Sequence, residues 1–260
     1  MKLKELIFKI LKNSGLRKND IVLFHSNIKP LYKYLLKQRL NFKLKDICSC
    51  MIEYFDNKGT LIIPAFNFDF CRGKPYYAKE TQSKMGVLSE EFRKISIRNR
   101  TWHPVYSFSL HGNFPKEILL KKKYKAFGDD PVFNFLNENN GKIAILDLPD
   151  QNSMTFYHYI EEKLNVNWRY HKKFCADYYN FDNQIIREEK TLIFVRKKEK
   201  DFEILTDVNQ MQKILFNKRL YTSQKNSIDG LRSIEAKVVY EEVEKVIKNN
   251  LAEGILYKKV

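Results

Sequence analysis

Glycine and proline are scarce in this sequence, at 9 and 7 of 260 residues, and no Ser/Gly/Pro-rich linker or internal repeat divides it. We therefore expect one domain spanning residues 1–260. The few glycines never fall into G-x-G-x-x-G, a P-loop or G-x-S-x-G. Dinucleotide and nucleoside-triphosphate sites thus lack their usual phosphate cradle, and a serine hydrolase lacks its elbow. Cysteines are also few. Cys48, Cys50, Cys71 and Cys175 match no zinc spacing and no C-x-x-C pair, which predicts free thiols. No apolar run is long enough to cross a membrane. Residues 1–14 intersperse lysines with an apolar stripe of helical period, which is not the pattern of a signal peptide. These absences point to a cytoplasmic protein with no membrane partner.

Acidic residues are outnumbered as well, 31 against 47 Lys and Arg, giving a formal charge of +16. A field of that sign attracts anions and repels polycations. Coenzyme A, nucleotide-sugars and nucleic acid are all compatible anions. The basic runs at 121–123 and 196–200 lack the interleaved aromatics of an RNA-binding surface, so no nucleic-acid partner is expected. A non-enzymatic anion- or RNA-binding protein is the alternative from a different class.

The periodicity predicts alternating helices and strands. Strands are expected at 21–25, 60–64, 107–110, 142–148 and 191–195. Helices are expected at 1–14, 44–55, 85–94, 154–164 and 233–249. Residues 174–204 read as β-rich. Alternation implies an α/β fold with helices flanking a central sheet, and the β-rich stretch leads us to expect that central β-sheet to be mixed.

Three histidine-bearing segments stand out. His25-Ser26-Asn27 closes the first strand, at the end where α/β sheets bind ligands. The second segment runs from Arg100 through His103 to Ser107, a candidate anion-binding loop leading into a strand. The third follows Thr155 on a helix, where His158 and Glu161 are three apart and share a face. A carboxylate there fixes the imidazole tautomer and makes it a better base. No H-E-x-x-H or other short paired spacing supports a metal, so none is expected.

In order, His25-Ser26, Gly59 to Phe66, Met85 to Arg93, Arg100 to Pro104, Ser107-Phe108 and Thr155 to Glu161 resemble the aminoglycoside 3-N-acetyltransferase family. That family also contains sugar N-acetyltransferases, and the resemblance extends from about Asp20 to the last helix. It implies a fold distinct from the GCN5-type acetyltransferases, with acetyl-CoA as donor and a primary amine on a sugar as acceptor. It places the base at His158, supported by Glu161, and acetyl-CoA contacts at His25, Ser26, Asn27, Arg100, His103 and Ser107. Two features depart from the family pattern. Residues 29–43 hold no glycine where a Gly-rich stretch is usual, and the strand before the catalytic helix ends Asp147-Leu148-Pro149-Asp150 instead of in glycine. With the basic charge, these departures lead us to expect a nucleotide-linked amino sugar rather than an aminoglycoside as acceptor. Asp69 and Thr155 are the candidate acceptor-binding residues, Asp69 for the sugar ammonium. A homodimer is left open.

Overall fold

The computed structural model describes residues 2–55, 58–222 and 230–260; Met1, read at the start of the first helix, lies outside them. The chain opens with α1 (Leu3–Asn13), β1 (Ile21–Ser26), α2 (Lys29–Lys37), α3 (Leu44–Phe55), β2 (Thr60–Pro64), β3 (Tyr76–Tyr77) and α4 (Val87–Ile95). It continues with β4 (Phe108–Gly112), α5 (Glu117–Leu120), α6 (Pro131–Glu138), β5 (Lys142–Leu146), α7 (Phe156–Lys163), β6 (Arg169–Tyr179) and β7 (Ile185–Arg196). Last come β8 (Ile204–Thr206), α8 (Asn209–Asn217), β9 (Leu231–Glu235), α9 (Ala236–Lys248) and β10 (Tyr257–Lys259).

The central sheet is mixed, as expected, with strand order β4-β2-β1-β5-β9, although its antiparallel members are β4 and β9 and not the β-rich stretch at 174–204. The three middle strands are parallel and both edges are antiparallel. Its faces follow from side-chain alternation. Val22, Phe24, Ala144 and Leu146 pack under α1 to α4. Leu23, Ile143 and Ile145 pack on the opposite side against Phe133, Phe156, Ile160, Val239 and Val243. A second, three-stranded sheet has the order β3-β6-β7, in which β6 and β7 form a long antiparallel hairpin. The two ends of the chain are stitched together: Thr222 Oγ1 and Ser233 Oγ both donate to the Ser14 carbonyl, each at 2.6 Å.

Three expectations need correction. The helix expected at 233–249 begins at Ala236, because Leu231–Glu235 pair antiparallel with β5 as an edge strand. The strand expected at 142–148 stops at Leu146, where Asp147 turns into the left-handed region at φ 49°. The strand expected at 107–110 runs from Phe108 to Gly112. The glycine-free segment after Asn27 forms α2, with Pro30 in its first turn, where a missing N–H costs nothing.

Candidate active site

The segments singled out in the sequence converge on one edge of the sheet. His25-Ser26-Asn27, Asn67 to Asp69 and Thr155 to His158 follow the C-terminal ends of β1, β2 and β5, the three parallel strands. The chain passes from β1 to β2 on one side and places β5 on the other, so the strand order reverses at β1, the position where open α/β sheets bind ligands. His25 alternates with Phe24 and shares the sheet face of Leu23, the face that α7 covers.

His158 Nδ1 lies 2.7 Å from Glu161 Oε2. A carboxylate can only accept, so Nδ1 carries the proton and Nε2 keeps its lone pair. The Glu161 side chain is 2% exposed, yet it does not stand alone. Trp168 Nε1 donates to its Oε1 at 3.0 Å, and Arg169 Nε lies 2.8 Å from Oε2. Burial alone would raise the Glu161 carboxyl, but Arg169 and His158 hold it below the usual range. Arg169 is anchored in turn by the Phe194 carbonyl and Thr206 Oγ1. Burial and the Arg169 charge pull His158 below its ordinary value, against the upward pull of Glu161. The imidazole is therefore neutral at neutral pH, keeps part of its surface open and has a fixed orientation. That arrangement suits proton abstraction.

The segment from Arg100 to Ser107 lies beneath the site. Arg100 is 1% exposed. Its guanidinium donates to the carbonyls of Ala65 at 2.9 Å and Thr81 at 2.6 Å, and to Ser107 Oγ at 3.0 Å. Ser107 Oγ itself donates to Ala65 O. His103 is fully buried: Nδ1 accepts from the Val105 and Tyr106 amides, and Nε2 faces Thr191 Oγ1 at 2.9 Å. Burial drives its pKa well below the usual value. Arg100, His103 and Ser107, three of the residues expected to contact acetyl-CoA, are therefore all buried. The three residues are bonded into the interior, and they tie β2 to β4 and to the hairpin.

His25 is different. It is 7% exposed, its Nε2 is buried without a partner, and burial lowers its pKa to about 3. Thr155 Oγ1 is a second buried polar atom without a partner. Ser26 is half-buried and Asn27 exposed, with Asn27 N donating to Leu146 O. Gly86, at φ 102°, starts α4 so close by that a Cβ there would sit 4.0 Å from Ser26 O. The first turn of α4 has no side-chain cap. Asp69 sits beyond β2 in an ion pair with Lys84 at 2.6 Å and 3.6 Å from Arg72.

Sequence reasoning missed Trp168 and Arg169 around Glu161, and the aromatic wall of the base. The Phe127 ring stands 5.5 Å from that of His158, and the Tyr106 ring lies tilted against Phe127 at 4.5 Å. No local spacing signals either, because the partners come from β6 and from two separate loops. Among the described residues, no group of three or more His, Cys, Asp or Glu side chains is placed to hold a metal. No helix among them is long and apolar enough to cross a membrane.

Fold and family match together define the class, an N-acetyltransferase. More narrowly, the aminoglycoside 3-N-acetyltransferase family model matches residues 23–248, and the chain belongs to that family. Solved structures with the same fold include the YokD protein from Bacillus subtilis, 18% identical, with TM-score 0.73 over 95% of this chain and 99% of that one. AAC-IIIb in a binary complex with CoASH is 13% identical, with TM-score 0.76 over 95% and 96% of the two chains. AAC-VIa bound to sisomicin is 12% identical, with TM-score 0.75 over 96% and 98%. No curated protein matches the sequence.

Proposed function

We propose that the protein transfers an acetyl group from acetyl-CoA to the primary amine of a nucleotide-linked amino sugar, with His158 as general base. The observation that carries this is the His158–Glu161 pair, which holds a neutral imidazole with its Nε2 lone pair free. The amine nitrogen attacks the thioester carbonyl as Nε2 takes its proton. The C–S bond breaks, and the CoA thiolate leaves and recovers the proton. Glu161 stabilises the imidazolium in between. General-base help of this kind contributes about 10²–10⁴-fold, and holding both substrates in place supplies a further large term.

The donor side is supported by a relative that binds CoASH. The unpartnered His25 Nε2 and Thr155 Oγ1, with Ser26, Asn27 and the uncapped start of α4, suit a chain of amides ending in phosphates. Arg100, His103 and Ser107 support that surface from below.

The acceptor side is argued from charge. A polycationic aminoglycoside needs free carboxylates, and the secluded ones around the site are already engaged. Glu161 pairs with Arg169, Glu162 with His171, Glu189 with Lys122, Asp130 with Lys123, Asp150 with Arg232 and Asp69 with Lys84. Asp69 can take one sugar ammonium by exchanging it for Lys84. Relatives bound to sisomicin and gentamicin favour the second reading, an aminoglycoside acceptor. A competition decides: purified protein, acetyl-CoA, a nucleoside-diphosphate amino sugar or a panel of aminoglycosides, and release of free thiol as the readout. Turnover of the nucleotide-sugar that weakens with added salt is expected. Turnover of aminoglycosides alone would overturn the proposed acceptor.

A further inference from the structure

Helix α7 carries two consecutive glutamates, and the base uses only the first. Glu162 is as secluded as its neighbour, with 3% of its side chain exposed. Its Oε1 meets His171 Nε2 at 2.8 Å and its Oε2 accepts the Phe127 amide at 3.1 Å. His171 lies two residues after Arg169 on β6, so the two side chains leave the same strand face and reach successive carboxylates. Phe127 supplies the ring packed 5.5 Å from His158. The residue after it is Gly128, where a Cβ would come within 3.1 Å of Glu162 Cγ. Glycine at that position lets the 127–128 backbone lie directly on the carboxylate.

From this we infer that Glu162, clamped by His171, is a positioning residue for the reaction: through the Phe127 amide it fixes the aromatic wall that holds His158 in its productive orientation. The inference rests on His158 acting as the base. A loosened Phe127 lets the imidazole swing about its bond to Glu161, and a misplaced base lowers turnover far more than it weakens substrate binding. Glu162 touches no reacting atom, so its effect belongs in kcat.

The test is a steady-state series on the full chain. Glu162→Ala should lower kcat about 10-fold or more while the KM for acetyl-CoA stays within about 2-fold. Glu162→Gln keeps an oxygen for the Phe127 amide and should restore kcat to within about 3-fold of the parent. Phe127→Leu removes the wall without touching the carboxylate and should reproduce the kcat loss, so it serves if Glu162→Ala does not fold. His158→Ala is run alongside. Full turnover of folded His158→Ala would overturn the base itself. An inactive His158→Ala beside unchanged kcat in folded Glu162→Ala, or in Phe127→Leu, would overturn the positioning role alone. Equal losses in Glu162→Ala and Glu162→Gln would do the same, because the backbone contact would then be irrelevant.

Discussion

At the residue scale, the chemistry concentrates on one imidazole. Replacing His158 with alanine should lower kcat by about 10²-fold or more with little change in CoA affinity, read by steady-state kinetics and calorimetry. Because burial and Arg169 depress the His158 pKa, the neutral base is present at and above its usual value of 6.5. A plot of log kcat/KM against pH should therefore fall on its acid side with a midpoint below 6.5; a midpoint above it contradicts the environment described. Arg100 makes the opposite case. Its alanine variant removes a guanidinium that serves three carbonyls and a hydroxyl, so about 2–4 kcal/mol of stability should be lost. A folded Arg100→Ala protein with only a raised KM for acetyl-CoA would put the arginine back at the surface. The His158–Glu161 spacing was legible because three residues of helix suffice to bring the two together. Arg169 and Trp168 were not, since only the docking of β6 on α7 brings them to Glu161. The burial of Arg100 was not legible for a related reason: an arginine beside a histidine and hydroxyls looks the same in sequence whether it faces water or the interior.

At the element scale, the start of α6 shows one side chain holding two structures. Asp130 caps the helix by accepting the Val132 amide at 2.7 Å and the Phe133 amide at 3.3 Å, and its other oxygen pairs with buried Lys123. Loss of a cap alone costs about 1 kcal/mol. Asp130→Ala also leaves an ammonium buried without its partner, which raises the expected loss to about 3–5 kcal/mol. Lys123→Met in the Asp130→Asn background should recover most of it, with urea midpoints as the measure. No recovery would mean that the pair contributes little. Strands β1 and β2 were readable as apolar runs, whereas α6 was not read, although Asp-Pro at 130–131 is a standard helix start. The edge strand β9 was not. Its Ile234 continues the apolar period of the helix behind it, and only pairing with β5 separates the two. Helix α2 was hidden because the expected glycine-rich stretch drew attention to what the segment lacked.

At the scale of the whole molecule, buried histidines tie stability to acidity. Burial lowers His25 to about 3 and His111 to about 4, and drives His103 well down. Each takes up a proton on unfolding once the pH drops below 6.5, so the unfolded chain gains protons that the folded chain refuses. Stability is full above 6.5 and declines as pH falls from that value toward the folded ones, by about 1.4 kcal/mol per pH unit for each fully affected histidine. Urea midpoints at pH 7.5 and pH 5 should differ accordingly; equal midpoints would show that these rings are hydrated. The stitch between Ser14 and the hydroxyls of Thr222 and Ser233 bears on how the protein is born. A ribosome delivers α1, β1 and β2 first, but the other edge of β1 waits for β5, and β5 waits for β9. For most of translation the nascent chain carries an open strand edge flanked by apolar faces. Strand β9 closes the sheet, and Thr222 and Ser233 fasten it to Ser14, so the arrival of β9, rather than the emergence of any one helix, commits the sheet to its fold.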